Sequence, residues 1–206
     1  MRFIIENGKE KTLLPRILTT ALQLFVHQGI DRTTTKDIAK KAKVAEGTLY
    51  RHFKSKEDLA WYLFKSNLDQ FSQQLEIRVL TKKGAQAQIE EYFKFCFSAF
   101  EANRDLFSYL ILSEHKEFRK YPENALHPGK IARDIVQRGQ ANGQIRSGDA
   151  VLLGGLVLGG MLRACILRSY GSISRDLKRC SAELGDVVWD ALKGPSNSER
   201  RTGVKT

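Results

Sequence analysis

Residues Val44–Leu59, VAEGTLYRHFKSKEDL, decide how this chain folds. The stretch opens like a turn into a helix, with Ala45 and Gly47, and closes on a second start signal, Ser55-Lys56-Glu57-Asp58. At about 100° per residue with Leu49 as origin, Phe53 falls near about 40°, Gly47 about 160° and Arg51 about 200°. Leu49 and Phe53 therefore define a packing face, and Gly47 and Arg51 point away from it. Tyr50 and Thr48 flank it on opposite sides, and His52 sits at its edge. Just upstream, Thr34-x-x-Asp37 is a capping box in front of a short helix carrying Ile38, Ala39 and Ala42. A tight turn at Lys43-Val44 separates the two. A short capped helix, a turn and a helix that packs by one edge make a helix-turn-helix, whose second helix enters the major groove of DNA. An arginine can pair bidentately with guanine, and a tyrosine ring can contact a thymine methyl. Gly47 lets the backbone approach closely, and Thr48, His52 and Lys56 can reach phosphates.

Charge fits a polyanionic partner. The 206-residue chain carries a formal net charge of +11. Thirteen Lys and Arg stand against seven Asp and Glu through Lys65, so the first third is the denser positive region. A basic, lysine-rich soluble surface would give the same total, and only the clustering separates the two readings.

The motif resembles a known family. TTTKDIAKKAKVAEGTLYRHFKSKEDL, with RILTTALQLFVHQG before it, is similar to the DNA-binding domain of the TetR family of bacterial transcriptional regulators over Arg16 to Leu63. IVQRGQANGQIRSGD, Ile135 to Asp149, is more weakly similar to a stretch of that family's second domain. The resemblance implies an all-α homodimer: two helix-turn-helix heads on a roughly palindromic operator, and a C-terminal helical domain that dimerises and holds a small-molecule pocket. Ligand binding would move the long linking helix and spread the heads. Position by position, Thr34, Thr35, Thr48, His52 and Lys56 match phosphate-contacting sites. Lys36, Glu46, Gly47, Tyr50 and Arg51 match sites at bases or groove edges, and Ala45 completes the DNA-binding set. Three residues depart from the pattern. Lys43 replaces a turn glycine, Ala45 a capping Ser or Thr, and Glu46 a Lys, Arg or Gln. Glu46 either accepts from a cytosine amino group or complements the helix dipole.

Helical periodicity continues to Leu192. Leu14, Ile17, Leu18, Ala21, Leu22 and Phe25 form one apolar stripe, with Thr12 placed to cap it, Pro15 in its first turn and Gly29 to end it. Ser55-x-x-Asp58 opens a long helix to about Leu80. Further helices are expected over Ala85–Ala102, Arg104–Phe118, Leu126–Asn142, Asp149–Tyr170 and Ser174–Leu192, about nine in all. The expected domains are 12–60, the helix-turn-helix head; 61–193, ligand binding and dimerisation; and 194–206, a polar, disordered tail.

In the second domain, Phe93, Phe97, Phe107 and Tyr109 belong to an aromatic set that is ordinarily core. The family resemblance makes them candidates for an apolar ligand pocket. The segment VLLGGLVLGGMLRACIL, Val151–Leu167, carries four glycines, each weakening an isolated helix by up to ~1 kcal/mol relative to Ala. Close helix approach would offset this, either within the chain or at a dimer seam of Gly155, Leu156, Gly159, Leu162 and Ile166 with Val187, Val188 and Leu192. Arg163 ends the apolar run and is expected in low dielectric. Its partner would be Glu114, Glu117 or Asp186, or the anionic head of an amphipathic ligand; snorkelling to the surface is the alternative.

Other functions find little support. Cys96, Cys165 and Cys180 are odd in number and far apart, with no metal spacing, and read as reduced structural thiols. Four scattered histidines form no catalytic constellation, so no enzyme, metal or cofactor is expected. The unbroken apolar run is too short for a membrane span, and a cytoplasmic protein follows. The function read from the residues and the resemblance together is a TetR-like transcriptional regulator, a repressor released by its ligand. An activator or dual regulator on the same fold is the alternative. A helical ligand- or partner-binding protein that reads no DNA is the rival of another class.

Overall fold

A computed structural model describes residues 13–112, 121–122 and 124–194. Nine α-helices lie among them: α1 (Leu14–Gln28), α2 (Thr35–Ala42), α3 (Glu46–His52), α4 (Lys56–Leu80), α5 (Ala85–Ala102), α6 (Arg104–Phe107), α7 (Pro128–Ala141), α8 (Ala150–Ser169) and α9 (Ser181–Leu192). There is no strand among the described residues; a lone antiparallel bridge joins Ile145 to Lys193.

Short-range signals account for most ends. Pro15 stands in the first turn of α1, and Gly29, at φ +81°, ends the helix and donates its N–H to the Phe25 carbonyl. Asp149 accepts from the Val151 and Leu152 N–H groups and so caps α8. Two ends differ from expectation. α6 passes after Phe107 into a π-helical turn, Ser108–Leu112. α9 begins at Ser181, because Asp176 first caps a 3-10 turn, Leu177–Cys180. The expected Thr12 cap, Glu114, Glu117, Phe118 and the tail beyond Gly194 lie outside the described residues.

The chain forms two compact units. The first comprises the chain to Phe71 with Ala102–Ala125; the second comprises Ser72–Glu101 with the chain from Leu126 onward. The expected boundary at 60/61 falls inside the continuous helix α4. In the first unit, Ile17, Leu18, Ala21, Leu22 and Phe25 of α1 bury the expected stripe. Phe71 meets Phe107 edge-on, with centroids 5.9 Å apart. Tyr109 stacks on Phe25 and donates its hydroxyl to the Ala60 carbonyl at 2.9 Å.

In the second unit, α7 and α8 pack closely. A Cβ on Gly154 would lie 2.9 Å from the Arg133 backbone nitrogen, so only glycine permits this approach. The Arg168 guanidinium meets the buried Glu101 carboxylate at 2.8 Å and donates to the Ile173 and Ser174 carbonyls. Burial raises the Cys96 thiol and pushes Cys165 up to about 12, so both are unreactive apolar fillers. The apolar run of α8 stops at Arg163 as read, but the helix continues to Ser169. By length and composition alone it is long enough to cross a membrane.

Candidate nucleic-acid interface

The recognition surface is built by α2, α3 and the start of α4. The Thr34–Asp37 capping box forms completely: Asp37 N–H donates to Thr34 Oγ1 at 3.1 Å, and the Thr34 N–H and hydroxyl donate to Asp37 at 3.1 and 2.6 Å. Those two bonds from Thr34 hold the Asp37 carboxyl below the usual carboxylate range. Lys43 adopts φ +54°, ψ +51°, the left-handed conformation for which glycine is the usual residue, and it is the single non-glycine with positive φ among the described residues. Arg16 braces the turn by donating to the Lys43 carbonyl at 3.3 Å. The turn thus keeps a left-handed residue with lysine in place of the usual glycine.

α3 then presents its residues as the wheel requires. Leu49 is 2% and Phe53 8% exposed, while Tyr50 is 54% exposed. Gly47, Arg51 and His52 are exposed, and Thr48 is half-buried. A Cβ at Gly47 would meet nothing within 4 Å, so the glycine leaves room for a partner rather than fitting this chain. Ala45 gives no side-chain cap. Lys36 on α2 is exposed beside this face.

Two residues are engaged in ways the sequence did not suggest. The Lys56 ammonium donates to the Ile30, Asp31 and Thr33 carbonyls at 3.0, 2.9 and 2.9 Å. Its three donors are thus spent within the protein. It straps the α1–α2 loop while lining the cleft at the start of α4. Glu46, expected at a base or at the helix dipole, accepts from the Thr35 hydroxyl at 2.7 Å, and the Tyr50 hydroxyl lies 3.2 Å from the same Thr35 oxygen.

Lys54 is the residue that pattern reading missed. It is exposed and lines a cleft of about 290 Å³ with Thr34, Thr35, Tyr50, Ser55 and Lys56. Its backbone N–H donates to Asp58, and Asp58 N–H donates to Ser55 Oγ, which starts α4. The signal was present: a lysine immediately before a capping serine projects from the helix start with nothing local to pair it.

The candidates in the second region fare differently. Phe93 and Phe97 are buried in the second unit with ring centroids 5.8 Å apart. Phe97 also borders a cleft of about 420 Å³ with Leu177, Leu184, Val187 and Arg175. Phe107 and Tyr109 are buried in the first unit, packed by Phe71, Phe25 and Ala60. Arg163 is exposed, not held in low dielectric, and shares a helix face with Gly155, Leu156 and Gly159. The largely buried arginine is Arg168, five residues on. Of the seam residues, Gly155, Leu156 and Gly159 are exposed, and Leu162 and Ile166 half-buried. Val188 and Leu192 are buried within the chain: Val188 faces Gly160, and Leu192 sits where its carbonyl accepts from Arg146 N–H. Val187, 62% exposed, is the outward residue of that pair of turns.

A two-helix DNA reader on a larger all-helical body is the architecture of a one-component transcriptional regulator, and similarity to known proteins agrees. Residues 17–62 match the family described as bacterial regulatory proteins, tetR family. The chain is 28% identical over 137 residues to the fatty acid metabolism regulator protein of Bacillus subtilis, covering 65% of this chain and 71% of that protein. Its fold matches the crystal structure of the transcriptional regulator FadR from Bacillus subtilis in complex with stearoyl-CoA, with TM-score 0.72, 24% identity and coverage of 84% and 96%. It also matches the fatty acid degradation regulator FadR from Bacillus halodurans, with TM-score 0.73, 16% identity and coverage of 92% and 100%. Residues 17–62 carry a TetR-family DNA-binding domain, and the proteins that the chain is similar to are transcriptional regulators.

Proposed function

We propose that the protein is a cytoplasmic homodimeric repressor that leaves a pseudo-palindromic operator when it binds a long-chain acyl thioester. The carrying observation is the outward face of α3, where Gly47 and Arg51 are exposed and unpartnered beside Lys36, His52 and Lys54. Arg51 reads a base, and Lys54, Thr48 and His52 meet phosphates. The effector class is supported by similarity along most of the chain to a fatty acid metabolism regulator and, in fold, to a regulator solved with stearoyl-CoA. An acyl chain suits the buried aromatic row of α5, reached from the cleft beside Phe97, at whose edge Arg175 pairs with Glu183. The partner protomer is assigned to the uncovered face of α8, where Leu152 and Leu156 are 73% and 48% exposed. Cβ atoms at Gly155 and Gly159 would meet nothing within 4 Å. A small-residue stripe between apolar side chains lets a second helix approach closely.

The test is selection of bound duplexes from a random pool, followed by titration of the selected complex with stearoyl-CoA and, separately, with free coenzyme A. A palindromic site released by the acyl thioester alone supports the reading. A complex indifferent to both refutes the effector class. Replacing Gly155 and Gly159 by Leu is expected to lower dimerisation and operator affinity together. A wild-type protein that sediments as a monomer at micromolar concentration contradicts the dimer.

A further inference from the structure

The bonds among Thr35, Glu46 and Tyr50 fix the direction of every proton in the cluster. Glu46 as a carboxylate only accepts, so the Thr35 hydroxyl, 2.7 Å away, must donate its single proton to it. The Thr35 oxygen is then left with lone pairs alone. Tyr50, 3.2 Å from that oxygen, must be the donor in the second bond. Its own proton is therefore spent inward, and its phenolic oxygen, on a side chain 54% exposed, offers only lone pairs to the outside. The second carboxylate oxygen of Glu46 does the same.

We infer that Glu46 and Tyr50 form an acceptor-only edge on the recognition helix, which selects a base carrying an exocyclic amine, cytosine N4 or adenine N6, next to the base read by Arg51. In the major groove those amines are the hydrogen-bond donors; guanine O6 and N7, adenine N7 and thymine O4 are acceptors and meet this edge lone pair to lone pair. Phosphate oxygens do so too, so Tyr50 and Thr35 face bases and each other rather than the backbone. The assignment also explains the acidic residue at position 46. It sets the relay, and without it both hydroxyl protons could turn outward to phosphate.

The inference rests on the DNA-reading role of α3, and its test separates the two. The selected half-site is resynthesised with one amine removed at a time, purine for adenine or 2-pyrimidinone for cytosine, and each duplex is titrated with wild-type protein, Glu46→Ala and Tyr50→Phe. Wild type is expected to lose about ten-fold at one or two adjacent positions, the size of one lost hydrogen bond to a base edge. Both variants are expected to lose nothing further at those positions. If the variants keep an Arg51-dependent preference but no amine penalty depends on Glu46 or Tyr50, the cluster only joins α2 to α3 and the inference is overturned. If wild type prefers no sequence at all, the DNA-reading role falls and the inference with it.

Discussion

Helix α3 buries Leu49 and turns Gly47, Tyr50, Arg51 and His52 outward, whereas α8 is apolar around nearly its whole circumference and buries Gly154, Val157, Met161 and Cys165. The first carries its orientation in its own letters, because polar and apolar residues alternate at a helical period. The second does not: from Val151 to Leu162 it is apolar or glycine on every side, so those residues do not say which face is covered. What orients α8 is contact with distant segments: the α7 backbone at Gly154 and the Glu101 carboxylate at Arg168. The orientation of α3 is thus written locally, while that of α8 is written in long-range packing.

The two arginines of α8 give the strongest test of that contrast. Arg168→Met removes the guanidinium from the buried Glu101 carboxylate and from two loop carbonyls, and should cost about 3 kcal/mol of stability by chemical denaturation. Arg163→Met should change the protomer's own stability by less than about 0.5 kcal/mol, since its side chain lies on the α8 face left uncovered within the chain. Equal effects from the two would mean that the rotation of α8 is misassigned.

The neighbouring glycines sharpen the same point. Gly154→Ala forces a Cβ against the α7 backbone and should destabilise by about 1–3 kcal/mol. Gly155→Ala meets open space and should be neutral or stabilise the protomer by up to ~1 kcal/mol. Thermal melting of the two variants side by side decides it; a harmless Gly154→Ala would dissolve the close α7–α8 contact.

In the DNA-reading region the informative pair is Lys56 and Lys54. Lys56→Ala loses three hydrogen bonds to the α1–α2 loop and should lower stability by about 1–2 kcal/mol, with little change in the salt dependence of binding. Lys54→Ala should leave stability alone and reduce the slope of log affinity against log salt by about 0.9. The opposite assignment would return Lys56 to the phosphates. Smaller still, Lys43→Gly should stabilise the protein by about 0.5–1 kcal/mol, because glycine meets no Cβ penalty at φ +54°; a loss instead would show that the Lys43 side chain contributes packing.

Legibility followed the range of the interactions. The end of α1 at Gly29, the Thr34–Asp37 box, the α4 and α5 boundaries and the α3 packing face are set by residues within one or two turns, and each was readable. Lys56 was not, because its partners lie 23 to 26 positions earlier in the chain. The Thr35–Glu46 bond was not readable for the same reason: Thr35 is on the preceding helix, eleven residues away. Phe107 and Tyr109 were indistinguishable from pocket residues by spacing, since a ring buried against Phe71 or Phe25 and one lining a cavity have the same helical period. Arg163 was placed in the interior on hydropathy of its helix, which says nothing about which side is covered.

The central claim is that α3 reads sequence, and Arg51→Ala tests it most directly. Affinities of wild type and variant are measured across a set of single-base-pair operator variants at fixed salt. The account predicts that the variant loses discrimination at one base pair by about 1–3 kcal/mol and keeps its ranking of all other positions. A variant that is uniformly weaker, with relative affinities unchanged at every position, would contradict it.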